Sequence, residues 1–533
     1  MRQGYDCKTS CWGRGVGAFF HRSLLPLAWI TVLVAPALAQ KSVWTAQYNN
    51  DRTAANIYET TLTSSNVNTK QFGLLFSRQV DGFIFAQPLF MPAVTIQGVA
   101  RNVVYVATMN NSVYAFDADH PADSAPLWHV NLGPVLMRPG SLYTWEIGIL
   151  STPVIDTSTN TMYVCALVTD LGVNVYVLHA LDITTGRERA RGPKVITGSV
   201  PGSAPDAVDG MVTFDPSNLL QRPALSLFNG IVSVAFGTLN DKLPYHGWLM
   251  SYDTKTLEQT GIWCTTPNGT KGGIWMSGRG IAQDSNGIYL MTGDGDTGPG
   301  GDLSDAFVRI FNQQFDYFLP ANYQTLDSND WDLNAAGPML LPNTGLLLGG
   351  GKTGTLFVLN RTNLGGYMSG NTQVVQSWQA TAGCTSSQYN SCNEIHHYAY
   401  WYDAPGAPRL YLWAKNETLK AFEFTGKQFN TTPVAQNVAV ANSPGGQLAL
   451  SANGGKPGTG ILWAAMTNAA APNGMAAGIL RAFDAVSLRE LWNSNLVSTD
   501  NAGLLAKYCL PTVTNGKVYL ATLSNQLNVY GLR

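Results

Sequence analysis

The sequence predicts an all-β protein, an eight-bladed β-propeller whose blades are four-stranded antiparallel sheets. Two observations carry this prediction: a composition suited to turn-rich β structure, and a strand–turn–strand phrase that occurs eight times. The 533 residues include 54 glycines and 11% aromatic residues, but only 12% charged residues. Disordered chains, coiled coils and helical solenoids carry more charge or more helix-forming residues, so the composition excludes them.

The repeated phrase is an alternating apolar strand, a polar turn, and a second strand that ends in a small, an aromatic and an acidic residue. Its copies lie at residues 102–118, 160–183, 230–254, 286–312, 344–361, 408–424, 459–485 and 515–532. Equivalent positions are 47 to 71 residues apart, which leaves room for about four strands in each unit. Eight such units predict a propeller, because radial closure of the ring protects the sheet edges.

The two ends of the repeat array indicate how the ring closes. The eighth copy stops at Arg533 without a fourth strand, while FGLLFSRQV at 72–80 is a lone strand before the first copy. We predict that this N-terminal strand completes the eighth blade, since an open ring would expose two sheet edges. The sequence therefore predicts one propeller domain over residues 40–533.

The N-terminus has the pattern of an export signal. A basic stretch precedes 16 apolar residues at 24–39, and this run ends in Ala37-Leu38-Ala39. We predict a signal peptide at 1–39 and a secreted or periplasmic protein; an uncleaved anchor is the alternative. The run is short for a membrane span, and no later segment reaches 18 apolar residues, so no span is expected after signal removal.

The charge and the cysteine content of the chain restrict which partners and cofactors it can bind. Without residues 1–39 the chain has 28 basic and 33 acidic side chains, which excludes the basic surface of a nucleic-acid binder. Cys384 and Cys392 enclose a Ser/Asn-rich loop and are predicted to form a disulfide; free thiols and metal ligation are the alternatives. The chain has no C-x-x-C-H motif for covalent haem, so electrons from any redox reaction would pass to a separate acceptor.

Two parts of the sequence resemble the quinoprotein alcohol dehydrogenase-like propellers, which have PQQ-type repeats. The segment at 42–80 is similar to the start of those propellers, and Ala180–Gly186 and Ala482–Trp492 are similar to their A-x-D-x-x-T-G-x-x-x-W repeat ending. The resemblance extends over 42–533 and implies PQQ and Ca²⁺ as cofactors. It also implies an active site at one mouth of the ring.

The resemblance implies roles for three residues beside the quinone. The phrase GGIW resembles the family's tryptophan-bearing strand, so Trp275 would be the platform on which the quinone stacks. The phrase DWD at 330–332 resembles the family's catalytic motif, which makes Asp332 the base. KTGTLFVLNR at 352–361 resembles the segment whose basic residue contacts the quinone, which implicates Lys352.

The same resemblance places metal ligands at Asp294 and Asp241. Asp294 lies in a TGDGD turn where the family has a metal-binding asparagine, and a carboxylate is also a ligand for a hard cation. Asp241 lies near the family's metal-binding glutamate. The acidic loop at 293–305 also admits a separate Ca²⁺ site, with a flexible loop as the alternative. His396 and His397 are more simply explained by packing than by metal binding.

Two functions follow from these patterns. The first is an exported quinoprotein-like oxidoreductase that acts on an alcohol or a sugar. The second is a cofactor-free propeller that binds a protein or a glycan, and one departure from the family favours it: no two cysteines are adjacent, so the family's Cys-Cys ring over the quinone is absent. Under the second reading Trp275 packs between blades, Asp241, Asp294 and Asp332 are turn residues, and Lys352 is a solvated loop lysine.

Overall fold

A computed structural model describes residues 41–137, 146–297, 301–384, 386, 391–467, 469 and 475–533. In this part of the chain eight small sheets form the blades of a β-propeller, as the repeats predict. The predicted signal peptide lies outside the described residues. Among those that are described, no helix has the length and apolar character needed to cross a membrane.

The first four blades follow one another along the chain. Blade I contains Leu89–Ile96, Val99–Ala107, Ser112–Asp117 and Trp128–Asn131. Blade II contains Val154–Asp156, Thr161–Asp170, Val173–Asp182 and Lys194–Val195. Blade III contains Leu219–Leu220, Ser226–Phe228, Ile231–Thr238, Trp248–Asp253 and Gln259–Cys264. Blade IV contains Ala282–Asp284, Gly287–Met291, Phe307–Phe311, Gln314–Leu319 and the parallel strand Gly366–Tyr367.

The other four blades repeat this pattern. Blade V contains Met339–Leu341, Leu346–Gly350, Thr355–Asn360 and Gln376–Gln379. Blade VI contains Tyr398–Trp401, Arg409–Leu412, Thr418–Glu423 and Ala435–Val440. Blade VII contains Gln447–Ser451, Ile461–Met466, Ile479–Asp484, Glu490–Asn493 and the parallel strand Ala55–Asn56. Blade VIII contains Thr512–Thr514, Lys517–Ala521, Gln526–Leu532 and Phe72–Gln79.

Few elements lie outside the blades. Two small ribbons pair Leu136–Met137 with Glu146–Ile147 and Ser199–Pro201 with Met211–Thr213. One short α-helix spans Tyr323–Ser328. The 3₁₀ turns are Ala46–Tyr48, Pro216–Asn218, Met276–Gly278, Leu333–Ala335 and Ser498–Asp500.

Burial distinguishes the inner from the outer strands of a blade. Every residue of the first strands Met339–Leu341, Tyr398–Trp401 and Gln447–Ser451 is buried. The fourth strand Ala435–Val440 instead alternates between half-buried and exposed residues. The first strands therefore line the axis of the ring, and the fourth strands face outward, as expected for a propeller.

The acidic residue that ends the repeated phrase has a structural role. The Asp182 carboxylate accepts a hydrogen bond from the Thr184 amide at 2.8 Å, and the Asp253 carboxylate accepts one from the Lys255 amide at 2.8 Å. This Asx turn holds the chain as it leaves the third strand of a blade. The recurring acid is thus a turn residue, and it recurs along the sequence because the same turn occurs in successive blades.

An N-terminal strand pairs with the C-terminal strand. Phe72–Gln79 runs antiparallel to Gln526–Leu532, so blade VIII contains strands from both ends of the described chain. The Phe72 ring is buried and lies 4.9 Å from the Trp492 ring, which attaches this strand to blade VII as well.

The segment at 43–56, here called the axial segment, hydrogen-bonds to the first strands of all eight blades. Most of these bonds join backbone groups; Asn50 and Asn56 contribute side-chain amides. In blade order its partners are Phe90, Ile155, Leu227, Gln283, Leu340, Tyr400, Leu450 and Val513. The axial segment therefore fills the middle of the ring at the level of the first strands.

Arg52 fixes the axial segment to its surroundings. Its guanidinium is fully buried and donates to the Ile281 carbonyl at 2.9 Å, the Ala46 carbonyl at 2.8 Å and the Thr45 hydroxyl at 2.9 Å. A Cβ on Gly280 would lie 2.4 Å from Arg52 Cζ, so only glycine fits there. Burial, and then repulsion from Arg279, lower the Arg52 pKa to about 9.

Candidate active site

The five residues singled out by the sequence lie at one end of the ring. Trp275 and Asp332 precede the first strands of blades IV and V. Asp294 and Lys352 lie between the second and third strands of blades IV and V, and Asp241 lies between the equivalent strands of blade III, Ile231–Thr238 and Trp248–Asp253. In an antiparallel sheet the start of the first strand and the turn between the second and third strands share an edge, so the fold places all five at that edge.

Asp332 and Lys352 form an ion pair at the centre of this group. Lys352 Nζ lies 2.5 Å from Asp332 Oδ2 and 3.2 Å from Asp330 Oδ1. The Lys352 amide also donates to the Asp332 carbonyl at 3.1 Å, so the two segments are joined by main chain as well. Burial raises the Asp332 pKa, but the Lys352 ammonium and hydrogen bonds from Asp294 together hold that pKa below its usual range.

Asp294 joins this pair in an acidic cluster. Carboxylate oxygens of Asp294, Asp330 and Asp332 lie within 4.8 Å of one another. Lys271 Nζ lies 3.0 Å from Asp294 Oδ2 and 3.1 Å from Asp327 Oδ1. Burial, and then repulsion from Asp332, raise the Asp294 pKa to about 7 although Lys271 opposes the shift. The cluster therefore holds more negative charge than its lysines neutralise.

Asp305 adds a buried carboxyl group behind the cluster. Its side chain is 1% exposed, and its Oδ2 has no hydrogen-bond partner among the described residues. Its amide donates to the Gly293 carbonyl at 2.8 Å, which fixes it beside the Asp294 turn. Burial, and then the charges of Asp332 and Asp294, raise the Asp305 pKa well above its usual range.

Asp241 lies near the acidic cluster without joining it. Its backbone has a φ of 53°, and its amide donates to Thr238 Oγ1 at 2.9 Å. Burial, and then the Asp332 charge, raise its pKa. Asp330, which the sequence did not single out as a ligand, supplies the third carboxylate in its place.

These carboxylates suit a hard cation. The donor set consists of oxygens alone, which is the chemistry that Ca²⁺ prefers. Asp294, Asp330 and Asp332 lie close enough to share one ion, and the Asp305 Oδ2 atom leaves a buried acceptor beside them. The residues present therefore fit the cation that the sequence resemblance implies.

Trp275 belongs to an aromatic cluster beside the acids, here called the aromatic trio. Its ring centroid lies 5.0 Å from that of Tyr508 and 6.3 Å from that of His396, with both rings nearly perpendicular to it. The His396 and Tyr508 rings are 5.0 Å apart. Trp275 is only half-buried although its neighbours are buried, so part of its ring remains accessible.

The Gly-Gly phrase and the strained turn after it position Trp275. The Gly273 carbonyl accepts from Asn334 Nδ2 at 2.7 Å, which joins the Trp275 segment to the one that follows Asp332. Met276 and Ser277 have φ values of 49° and 45°, unusual for residues with side chains. The Ser277 hydroxyl donates to the Ala335 carbonyl and holds this conformation.

His396 contacts two acceptors at the edge of the trio. Its Nδ1 lies 3.0 Å from the Pro444 carbonyl, and its Nε2 lies 3.3 Å from Glu394 Oε2. Glu394 also pairs with Lys415 at 3.0 Å. Burial lowers the His396 pKa to about 4, with the positive charge of Lys507 adding to this. His397 is also buried and faces the Ser277 carbonyl, which agrees with the packing interpretation.

The predicted disulfide is present and lies beside the site. Cys384 and Cys392 are bonded, and Cys384 Sγ lies 3.9 Å from the Lys352 carbonyl. The Ile395 amide donates to the Gly351 carbonyl at 3.3 Å, so both flanks of the bridge contact the Lys352 turn.

The acids of the 293–305 loop do not converge on one calcium position. Asp296 accepts from the Thr270 amide at 2.7 Å, and Asp302 accepts from the Asn268 amide at 2.9 Å. Asp294 belongs instead to the acidic cluster. The loop therefore divides its carboxylates between a neighbouring turn and the site.

Sequence reasoning missed several members of the site. The sequence patterns did not indicate Lys271, Asp327 or Tyr508, they placed Asp305 only in the possible calcium loop at 293–305, and they included Asp330 only as part of the DWD phrase. A signal was available for Lys271, which directly precedes the Gly-Gly phrase. Tyr508 had none, because 233 residues separate it from Trp275 along the chain.

Solved structures share this fold. The quinohemoprotein alcohol dehydrogenase from Comamonas testosteroni superimposes with a TM-score of 0.60 at 13% identity, covering 92% of this chain and 80% of that chain. The quinohemoprotein alcohol dehydrogenase ADHIIG from Pseudomonas putida HK5 gives a TM-score of 0.53 at 13% identity over the same shares. No protein-family model matches the sequence, and no curated protein matches it either. At this identity the likeness shows the fold alone: this chain has the eight-bladed architecture of those two dehydrogenases.

Proposed function

We propose that this protein is an exported quinoprotein-like oxidoreductase that oxidises an alcohol or a sugar. PQQ and Ca²⁺ would be its cofactors, and electrons would pass to a separate acceptor. The observation that carries the proposal is the acidic cluster of Asp294, Asp330 and Asp332 with Lys352, joined to the Trp275 segment by the Gly293 amide, which donates to the Gly273 carbonyl at 3.0 Å. The two alcohol dehydrogenases of the same fold support it.

The residues of the site divide into three roles. Asp294 and Asp330 would hold the cation, and Asp241, which lies near the cluster without joining it, would be the further ligand that the sequence resemblance implies. Trp275 would bind a planar ring by stacking. When bound, PQQ supplies a two-electron oxidant at this position, and the cation polarises it.

Asp332 is the base of this proposal. The Lys352 ammonium and hydrogen bonds from Asp294 keep the Asp332 pKa low, so the carboxylate is ionised at neutral pH and can accept the proton of a substrate hydroxyl. Lys352 also holds the carboxylate in place through the 2.5 Å ion pair. Alcohols and sugars both have a hydroxyl proton and a hydrogen on the carbon that bears the hydroxyl, and such an oxidation removes these two hydrogens.

A reconstitution experiment tests the proposal. The purified protein is mixed with PQQ and Ca²⁺, freed of unbound quinone and assayed for dye reduction with primary alcohols and with sugars. We expect a quinone absorbance band that stays with the protein, and dye reduction that requires substrate. No retained quinone at micromolar protein would reject the proposal and favour a cofactor-free propeller that binds a protein or a glycan.

A further inference from the structure

A lysine outside the acidic cluster, Lys507, lies beside the aromatic trio. Lys507 precedes the first strand of blade VIII, so it lies at the same end of the ring as Trp275 and Asp332. Its Nζ lies 4.7 Å from the centroid of the Tyr508 ring. The Tyr508 ring contacts both Trp275 and His396, so Lys507 is linked to the accessible Trp275 indole through a single aromatic ring.

Lys507 and Lys352 act on the same imidazole. The charges of both ammonium groups lower the His396 pKa, beyond the larger effect of burial. The two lysines are therefore close to one buried ring, although 155 residues separate them in sequence. They differ in their partners: Lys352 pairs with Asp330 and Asp332, whereas Lys507 forms no ion pair with a described carboxylate.

A second cation strengthens the positive potential beside Lys507. The buried Arg222 guanidinium lies 5.9 Å from the Tyr508 ring centroid and donates to the Lys507 carbonyl at 3.2 Å. Glu394, the nearest acid to His396, is already paired with Lys415. Lys507 is thus a half-buried ammonium beside an accessible aromatic surface.

We propose that Lys507 binds an acidic group of the ligand that stacks on Trp275, so that the pocket selects a planar anion. This inference rests on the proposed function, because it assigns a further binding residue to the same site. Lys352 is paired with Asp330 and Asp332, whereas Lys507, beside the Tyr508 ring, would meet an acidic group of the ligand. A carboxylate that meets an ammonium away from bulk water forms a strong, charge-assisted hydrogen bond.

Equilibrium dialysis with PQQ and with its trimethyl ester tests this role without an activity assay. The ester keeps the ring system but lacks the negative charges. We expect Lys507→Gln to weaken PQQ binding about tenfold and to change ester binding less than about twofold. Lys507→Arg should restore most of the PQQ affinity. Lys255→Gln, which removes an exposed lysine from a blade III turn, is the control and should bind PQQ like the wild type.

The outcomes separate this inference from the proposed function. If the wild-type protein binds neither compound, the proposed function fails and Lys507 has no role in quinone binding. If the wild type binds PQQ and Lys507→Gln binds it equally well, only the role of Lys507 is overturned. An equal loss of PQQ and ester binding in Lys507→Gln would also overturn it, because the lysine would then shape the pocket instead of binding an anion.

Discussion

Two regions of the ring, both built from the strands of the blades, differ in how their polar groups are paired. They are the middle of the ring and the end that carries the candidate site, here called the open end. In the middle, the axial segment hydrogen-bonds to every blade, and the buried charge of Arg52 is met by carbonyl and hydroxyl oxygens. At the open end, charged side chains face one another, and the Asp305 Oδ2 atom has no partner among the described residues.

This contrast separates polar groups that stabilise the fold from polar groups that serve binding or catalysis. A region whose buried charge is met by hydrogen bonds stabilises one structure, whereas acids held close together destabilise the structure until something binds them. The middle of the ring should therefore respond to mutation through stability. The open end should respond through binding and activity, with smaller changes in stability.

The largest effect is expected at the open end. Asp332→Asn removes the base of the proposed reaction while keeping the shape of the side chain, so substrate-dependent dye reduction should fall about 10²- to 10⁴-fold. PQQ retention, measured by absorbance after gel filtration, should persist. Asp253→Asn is the matched control, because asparagine can also cap that blade III turn, and it should leave the rate unchanged. Equal activity of Asp332→Asn and wild type would remove Asp332 from the mechanism.

In the middle of the ring, Arg52→Met should lower the free energy of unfolding by about 4 kcal/mol, because several buried oxygens lose their donor. Chemical denaturation followed by tryptophan fluorescence measures this. The exposed Arg489→Met is the control and should change the free energy by less than about 0.5 kcal/mol. A loss as small as that of the control would mean that the axial segment contributes little to stability.

His396, in the aromatic trio, makes the stability of the fold depend on pH. Folded His396 has a pKa of about 4, whereas an unfolded histidine titrates near 6.5. The unfolded chain therefore takes up a proton that the folded chain does not, so stability is lost as pH falls from 6.5 to 4. The loss should reach about 3 kcal/mol. His396→Gln should show a correspondingly flatter dependence of unfolding free energy on pH, and identical slopes would contradict the shift.

The smallest effect expected is stabilisation by the cation. Ca²⁺ at 100 times its Kd should raise the free energy of unfolding by about 2.7 kcal/mol, because it binds only the folded acidic cluster. Asp330→Asn should weaken this stabilisation. Asp123→Asn, in the acidic group around Asp117 on blade I, is the matched control. Stabilisation that survives in Asp330→Asn at unchanged Ca²⁺ concentrations would place the ion elsewhere.

The fold was predictable because each blade repeats a local signal. Alternating strands and the acidic turn residue can be read from neighbouring residues, and eight copies leave little choice of architecture. The axial segment was not predictable: most of its bonds use backbone groups, which are the same in every residue.

The candidate site was predictable in part for the same reason. Asp294, Asp332 and Lys352 stand in recognisable phrases, and they lie together in the structure as the resemblance implied. Lys507 and Tyr508 belong to a segment without any such phrase. Only ring closure brings that segment beside Trp275, and the sequence carries no local trace of this contact.

The axial segment also constrains the order of folding. The Val513 amide donates to the Tyr48 hydroxyl at 2.8 Å, so this contact joins residues 465 positions apart in the sequence. Contacts over such a separation form slowly, because a long loop must close first. During synthesis, this segment would stay without its final partners until the last blade emerged. The fold would then be completed in one late step, and truncated chains would be cleaved readily by proteases.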